Sequence, residues 1–186
     1  MNNFNHRKAT AKLKVFSEDS TPIKNQEITI RQTDHKFLFG CNGFELVPYA
    51  NGKLEGQALE QTEEYIDKFL GLFNFVTLPF YWGRFEPEQG KPHTESLKNT
   101  AKWCKERNLT IKGHPLSWHT LAPDWLLDMS NDEILDTQIK RIHRDVDDFE
   151  GLIDMWDVIN EVVIMPIFDK YDNGLTRVCK ELGRIN

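Results

Sequence analysis

Apolar and polar positions recur along this chain with two different periods, and each change of period marks an element. Leu13 and Val15 alternate with Lys12 and Lys14, and Ile28 and Ile30 alternate with Glu27, Thr29 and Arg31. A period of two predicts strands over 11–15 and 27–31. The polar Asp19-Ser20-Thr21-Pro22 supplies the turn between them, so residues 1–36 are expected to form a small antiparallel β extension laid against the main body. Phe37-Leu38-Phe39-Gly40-Cys41 reads as a short buried strand ending at Asn42-Gly43.

Beyond that point helical and strand periods alternate. Leu59, Thr62, Ile66 and Phe69 predict a helix, and the apolar run 75–81 a strand. Leu97, Ala101 and Cys104 predict a second helix, followed by a strand over Thr110-Ile111-Lys112-Gly113-His114. Ser130-x-x-Glu133 has the pattern of a capping box, in which each side chain satisfies an orphan backbone donor at a helix start. Behind it Leu135, Ile139, Ile142, Val146 and Phe149 step by four and three, which predicts one apolar helix face. A strand over 154–161 and a last helix holding Val178 and Leu182 complete the series.

The order β, α, β, α, β, α, β, α is that of a parallel α/β domain over 37–186, either a doubly wound open sheet or a (β/α) barrel. No glycine-rich phosphate loop follows the first strand, which weakens the nucleotide-binding form of the open sheet. A closed TIM (β/α)8 barrel needs eight units, and only about the first four are present.

Composition excludes several function classes. An apolar fraction of 39% with 28% charged residues describes an ordinary globular chain, and a net charge of -6 disfavours nucleic acid or an anionic membrane as partner. Cys41, Cys104 and Cys179 form no C-x-x-C pair and read as small core residues in a reducing compartment. Residues 1–10 are polar and basic without an apolar signal region, which predicts a cytoplasmic product unless a leader has been removed.

Candidate chemistry lies at two strand ends. Asp154-Met155-Trp156-Asp157-Val158-Ile159-Asn160-Glu161 carries apolar side chains into a terminal amide and carboxylate. That ending suits either a turn or helix cap, or a barrel strand delivering working residues to a cleft. Gly113-His114-Pro115-Leu116-Ser117-Trp118-His119, continued by Pro123-Asp124-Trp125, follows the preceding strand and so belongs at the same end. His114 and His119 are five apart in a loop, without the H-E-x-x-H spacing or a cysteine ligand, which argues against a metal centre, though a structural role for either imidazole stays open. Sugars are held by aromatic faces and by amide, imidazole and carboxylate groups, and Trp82, Trp118, Trp125, His114 and Asn160 supply that mixture. Trp103, beside Ala101 and Cys104 on a helix, reads as packing.

Gly113-His114-x-Leu116-x-Trp118-His119-x-x-x-Pro123-x-Trp125, together with Trp156-Asp157-Val158-Ile159-Asn160-Glu161, resembles family ten of the glycoside hydrolases, the endo-β-1,4-xylanases. The resemblance runs from about Phe37 to Asn186, with Phe37-x-Phe39-Gly40 similar to the first barrel strand. It implies a retaining hydrolase acting on β-1,4-linked polysaccharide or oligosaccharide, with no cofactor and no metal. By that resemblance Glu161 is the general acid/base, and Asn160 contacts the 2-hydroxyl of the sugar attacked. His114 and Trp118 line the same subsite, Asp157 holds the hydrogen-bond network and His119 supports it. Retention requires two carboxyls about 5 to 5.5 Å apart. The acid form of Glu161 is expected to be favoured by partial desolvation near the second carboxylate.

Two departures accompany the resemblance. Where the family has Glu-Asn-x-x-Lys-Trp, this chain has Thr77-Leu78-Pro79-Phe80-Tyr81-Trp82-Gly83-Arg84, with Trp82 and Arg84 in place of the stacking and cationic groups. The family's nucleophilic glutamate lies on strand seven, which is expected beyond Asn186, so the chain by itself is expected to be inactive. Glu45, Glu86 and Glu88 follow earlier strands and are candidate substitutes, although exposed loop acids usually only solvate a surface. A non-catalytic sugar-binding half-barrel completed by assembly is the reading from a different class.

Overall fold

The computed structural model describes residue 5 and residues 8–33, 35–153, 155–161 and 173–182. The chain divides into two compact units, Met1–Lys36 and Phe37–Asn186.

In the first unit the strands expected over 11–15 and 27–31 do not form. Its described residues hold one isolated antiparallel bridge, Phe16 with Pro22, around a tight turn in which the Ser17 N–H donates to the Thr21 carbonyl at 2.9 Å. Alternation creates an apolar face only where something covers it. Here Leu13, Ile28 and Ile30 stay 64%, 47% and 73% exposed, and a two-stranded ladder with no covered face is marginal in water.

The second unit is a parallel four-stranded sheet in the order β1-β2-β3-β4, comprising β1 (Gly40–Asn42), β2 (Phe75–Pro79), β3 (Thr110–His114) and β4 (Met155–Trp156). Between the strands run α1 (Leu46–Ala50), α2 (Gly56–Leu72), α3 (Trp82–Phe85), α4 (Thr94–Lys105) and α5 (Asn131–Asp148), and α6 (Gly174–Leu182) follows the sheet. Sequential strands that pair in parallel need helical crossovers, so the alternating periods of the sequence lead directly to this layout. Val76, Leu78, Ile111 and Phe80 form the sheet side of the core. Ile66 and Phe69 of α2, with Leu97, Ala101 and Cys104 of α4, form the helix side. No helix among the described residues is long and apolar enough to cross a membrane.

Three details differ from the pattern reading. The first strand begins at Gly40, leaving Phe37, Leu38 and Phe39 at 75%, 41% and 46% exposure beside the sheet edge. The last strand is two residues long, continued by backbone bonds at Asp157 and a bridge from Ile159 to Ser117, while Asp154 lies outside the described residues. The α5 face turned inward is also not the apolar one.

Of the expected face, Leu135, Ile139 and Val146 are exposed, Ile142 is half-buried and Phe149 is buried, whereas Ile134, Gln138, Arg141 and Asp145 are buried along the length of the helix. The reason is hydrogen bonding. Beyond Pro79 and His114 the chain leaves its ladder and presents unpaired carbonyls to the interior. Gln138 Nε2 donates to the Leu116 carbonyl at 3.0 Å, and the Arg141 guanidinium donates to the carbonyls of Phe80, Pro115 and Leu116. Leaving buried acceptors unmet costs roughly 1–3 kcal/mol each, comparable to burying one aliphatic side chain. The capping box forms as expected, with Ser130 Oγ accepting from the Glu133 N–H and the Glu133 carboxylate accepting from the Ser130 N–H at 2.8 Å.

Candidate active site

The carboxyl ends of β2, β3 and β4 bring Tyr81, Lys112, His114, Trp118, Asp157 and Glu161 onto one rim. Lys112 and His114 are two apart on β3 and therefore share a face. Asp157 is set opposite them by backbone bonds that prolong the β3–β4 ladder: its N–H donates to the Gly113 carbonyl at 3.0 Å and its carbonyl accepts from the Leu116 N–H at 2.9 Å. The close approach needs Gly113, because a Cβ there would lie 2.2 Å from the Trp156 ring.

One carboxylate oxygen of Asp157 accepts from Lys112 Nζ at 2.8 Å and lies 2.7 Å from His114 Nδ1. Burial pushes the Asp157 carboxyl up, but the bonds from Lys112 and His114 outweigh it and hold it below the usual carboxylate range. Asp157 is thus a fixed anion that orients the imidazole, leaving the Nε2 edge of His114 for another contact. Tyr81 stands edge-on to His114 at 5.5 Å between ring centroids and tilted against Trp118 at 5.4 Å.

Glu161 closes the arrangement. Its carboxylate accepts from the Trp118 indole N–H at 2.8 Å and is exposed, not desolvated as expected. Its backbone sits at φ 57°, the left-handed region, which costs a residue other than glycine on the order of 1–3 kcal/mol. Asn160 is anchored next to it by an N–H bond to the Ser117 carbonyl at 2.9 Å. His119 is buried beneath, in a single turn over His119–Leu121. Burial pulls its imidazole down and the nearby Glu161 charge opposes this, which puts the two within electrostatic reach.

One of the aromatic side chains expected to stack on sugar, Trp82, turns inward, and Trp125 packs against it. Trp82 is 2% exposed: the turn of α3 carries its indole inward, where its N–H donates to the Glu86 carboxylate at 3.0 Å. Trp125 is half-buried against it, edge to face at 5.6 Å, with its N–H on the Glu86 carbonyl at 3.1 Å. Both belong to a cluster with Leu126, Ile134, Leu175 and Val178. Arg84, by contrast, is exposed and lines a cleft of about 280 Å³ next to Tyr81.

Two of the three substitute carboxylates are held by other groups. Glu86 is 3% exposed and takes both terminal nitrogens of Arg144 at 2.9 and 3.1 Å, as well as the Gly90 N–H at 2.8 Å. Burial pushes it up, but these bonds outweigh burial and hold it below its ordinary value. Glu88 forms an exposed pair with Lys91, and Glu45 occupies the cap of α1. Trp103 packs on Tyr49 and carries the Arg107 guanidinium 4.0 Å above its ring. Among the described residues no group of three His, Cys, Asp or Glu side chains is placed to hold a metal.

Sequence reasoning passed over Lys112 and Tyr81. Period-two spacing contained both, since Lys112 shares its face with His114, and Tyr81 lies two residues past Pro79 in an extended run.

The parallel β/α units carry an exposed carboxylate and an amide beyond the last strand, at the carboxyl end of the sheet. The model of Glycosyl hydrolase family 10 matches residues 46–173, and the chain belongs to that family. Endo-1,4-beta-xylanase 5 of Arabidopsis thaliana is 25% identical over 170 residues, covering 88% of this chain and 28% of that protein. Endo-1,4-beta-xylanase B of Thermotoga neapolitana is 27% identical over 110 residues, covering 57% of this chain and 32% of that one. The chain therefore spans about a third or less of the length of these relatives. Among solved structures, xylanase 10B from Thermotoga petrophila RKU-1 in complex with xylobiose superposes with a TM-score of 0.55 at 24% identity, over 66% of this chain and 36% of that one. The endo-1,4-beta-xylanase from Caldicellulosiruptor owensensis gives 0.55 at 21% identity, over 76% and 42%. The structural likeness establishes the fold: four parallel strands matching part of a TIM barrel.

Proposed function

We propose that this chain forms the acid/base side of a retaining endo-β-1,4-xylanase site that acts on xylan or xylo-oligosaccharides. The observation carrying the proposal is Glu161, held at the rim by one indole N–H, with an exposed carboxylate and with His114 oriented beside it by Asp157 and Lys112. A carboxyl held by a single donor keeps an oxygen free to carry a proton and donate it to a glycosidic oxygen. In the double displacement, Glu161 protonates the leaving oxygen while a second carboxylate attacks the anomeric carbon. Glu161 then takes a proton from the water that releases the sugar. Asn160 and His114 bind hydroxyls of the sugar attacked, and Trp118 stacks beside it while positioning Glu161. By the family resemblance the nucleophile is a carboxylate on a later barrel strand, so residues 1–186 alone are expected to bind sugar without turning it over.

The test compares two leaving groups in the protein containing both carboxylates. Glu161→Gln is expected to slow cleavage of unactivated xylan by about 10²–10⁴-fold while largely sparing an aryl xyloside whose phenolate leaves unaided. Equal losses on both substrates would sink the acid/base role.

A further inference from the structure

Beneath the rim lies a buried cation that the proposed chemistry does not use. Arg141 on α5 is 2% exposed, and its guanidinium is fixed from three directions. Nε donates to the Asp145 carboxylate at 3.0 Å, and the group lies 5.0 Å from the centre of the Trp82 ring. The terminal nitrogens donate to main-chain carbonyls: Nη1 to Leu116 at 2.5 Å, and Nη2 to Phe80 at 2.5 Å and Pro115 at 3.4 Å. Gln138, on the same helix face, adds a second donor to the Leu116 carbonyl at 3.0 Å.

Those carbonyls are the roots of the site. Phe80 immediately precedes Tyr81, whose ring contacts His114 and Trp118. Leu116 precedes Ser117, whose carbonyl accepts from the Asn160 N–H at 2.9 Å, and Trp118, whose indole N–H donates to Glu161 at 2.8 Å. The other side of the same residue is also engaged, since the Leu116 N–H donates to the Asp157 carbonyl at 2.9 Å. One guanidinium therefore ties the segment after β2 to the loop after β3, and that loop carries the contacts that fix Asn160 and Glu161.

Stability alone does not call for a cation at this place. Taking a guanidinium out of water is costly, and buried ion pairs often stabilise a fold no more than apolar residues of the same volume would. What a guanidinium adds is geometry: its planar fork reaches acceptors on two segments at once and fixes their spacing, whereas an ammonium is a point charge on a flexible stem. Resting on the function proposed above, we infer that Arg141 is a positioning residue for that reaction, setting the loop from Leu116 to Trp118 against the Phe80–Tyr81 segment and so holding the Trp118 indole where it meets Glu161. Gln138 supports it on the Leu116 side.

The test is made on the 186-residue chain with variants of both donors. Arg141→Lys keeps a cation for Asp145 but loses the fork. Gln138→Leu removes only the second donor to Leu116, together with an amide oxygen that has no hydrogen-bond partner among the described residues, so it is expected to melt close to the parent chain. One readout is solvent exchange of the Trp118 indole N–H, its NMR signal identified by its absence in Trp118→Phe. The other is xylo-oligosaccharide affinity by calorimetry, both taken well below the melting transition. Arg141→Lys is expected to speed exchange and weaken binding by about tenfold each, and Gln138→Leu to move both the same way by about threefold. Ile66→Ala, a cavity on the α2 side of the core, is expected to lower the melting temperature while moving neither readout. A folded Arg141→Lys chain with parental exchange and affinity would overturn the inference, as would an Ile66→Ala chain that moves both as far. Faster exchange with unchanged affinity would make Arg141 part of the frame alone and overturn its role in the site. Should Arg141→Lys fail to fold, Gln138→Leu decides: faster exchange at a parental melt supports positioning, and unchanged exchange overturns it. If the parent chain binds no xylo-oligosaccharide, the xylanase-type reading fails, while indole exchange still decides whether Arg141 places Trp118 at Glu161.

Discussion

Glu86 and Glu161 each accept a hydrogen bond from an indole, Trp82 at 3.0 Å and Trp118 at 2.8 Å, and they have opposite fates. Glu86 is buried and fully occupied by Arg144, the Gly90 N–H and Trp82. Arg144 in turn bonds Asp145, which bonds Arg141, whose guanidinium holds the carbonyl ends beyond β2 and β3. Burial pulls Arg141 down to about 10, with Asp145 opposing, so it remains a cation at neutral pH. Glu161 is exposed and pairs with no cation among the described residues. The same pair of residue types is a strut in one place and a candidate reagent in the other, and what separates them is how many other donors reach the carboxylate.

The largest expected consequence is in stability. Glu86→Gln leaves Arg144 and the Trp82 indole with a neutral partner in a buried site and is expected to cost about 3–5 kcal/mol, as for other broken buried pairs. Glu161→Gln is expected to stay within about 0.5 kcal/mol, as surface substitutions usually do. Chemical denaturation of the two variants measures the contrast, and equal losses would erase the distinction. The donors sharpen it next. Trp82→Phe removes a buried indole and its bond and is expected to cost about 1–3 kcal/mol. Trp118→Phe should leave the melt nearly unchanged and should instead weaken xylo-oligosaccharide binding, read from quenching of indole fluorescence in the parent chain and by calorimetry in the variant.

The smallest effect is on acid stability. Burial raises the Glu86 carboxyl, its hydrogen bonds overcome that, and the net position is below the unfolded value. A depressed folded pKa contributes stability that is present above the unfolded pKa and is lost as pH falls through the folded one. The wild-type stability curve should therefore fall more steeply than that of Glu86→Gln on the acid side of the ordinary glutamate range. Asp157 is shifted the same way but is partly exposed, so its share is screened. Parallel curves for wild type and Glu86→Gln would show that the buried glutamate has no depressed pKa to lose.

Much of this was legible without coordinates. The helix faces 59–69 and 97–104, the strand 110–114 and the cap at Ser130 follow from local spacing, and local spacing decides what a single element buries. The α5 face was misread because Leu135, Ile139 and Val146 satisfy the same periodicity as Ile134, Gln138, Arg141 and Asp145, and nothing local reveals that carbonyls of Phe80 and Leu116 require donors. Trp82 was assigned to the cleft on residue type, yet a short turn at α3 aims its indole in a direction that composition does not encode. The extension over 11–15 and 27–31 failed for the opposite reason, since alternation specifies two faces and does not specify a partner for either.

By itself the sequence determined the period of each element, the parallel order those periods impose, and the residues placed at the ends of β3 and β4. Those properties depend on neighbours a few positions away. Only the tertiary structure decided which polar groups are sealed and which are available, because that depends on donors arriving from elements many residues distant. Arg144 reaching Glu86 across 58 positions makes one glutamate part of the frame. Trp118 reaching Glu161 across 43 leaves the other one open on the rim.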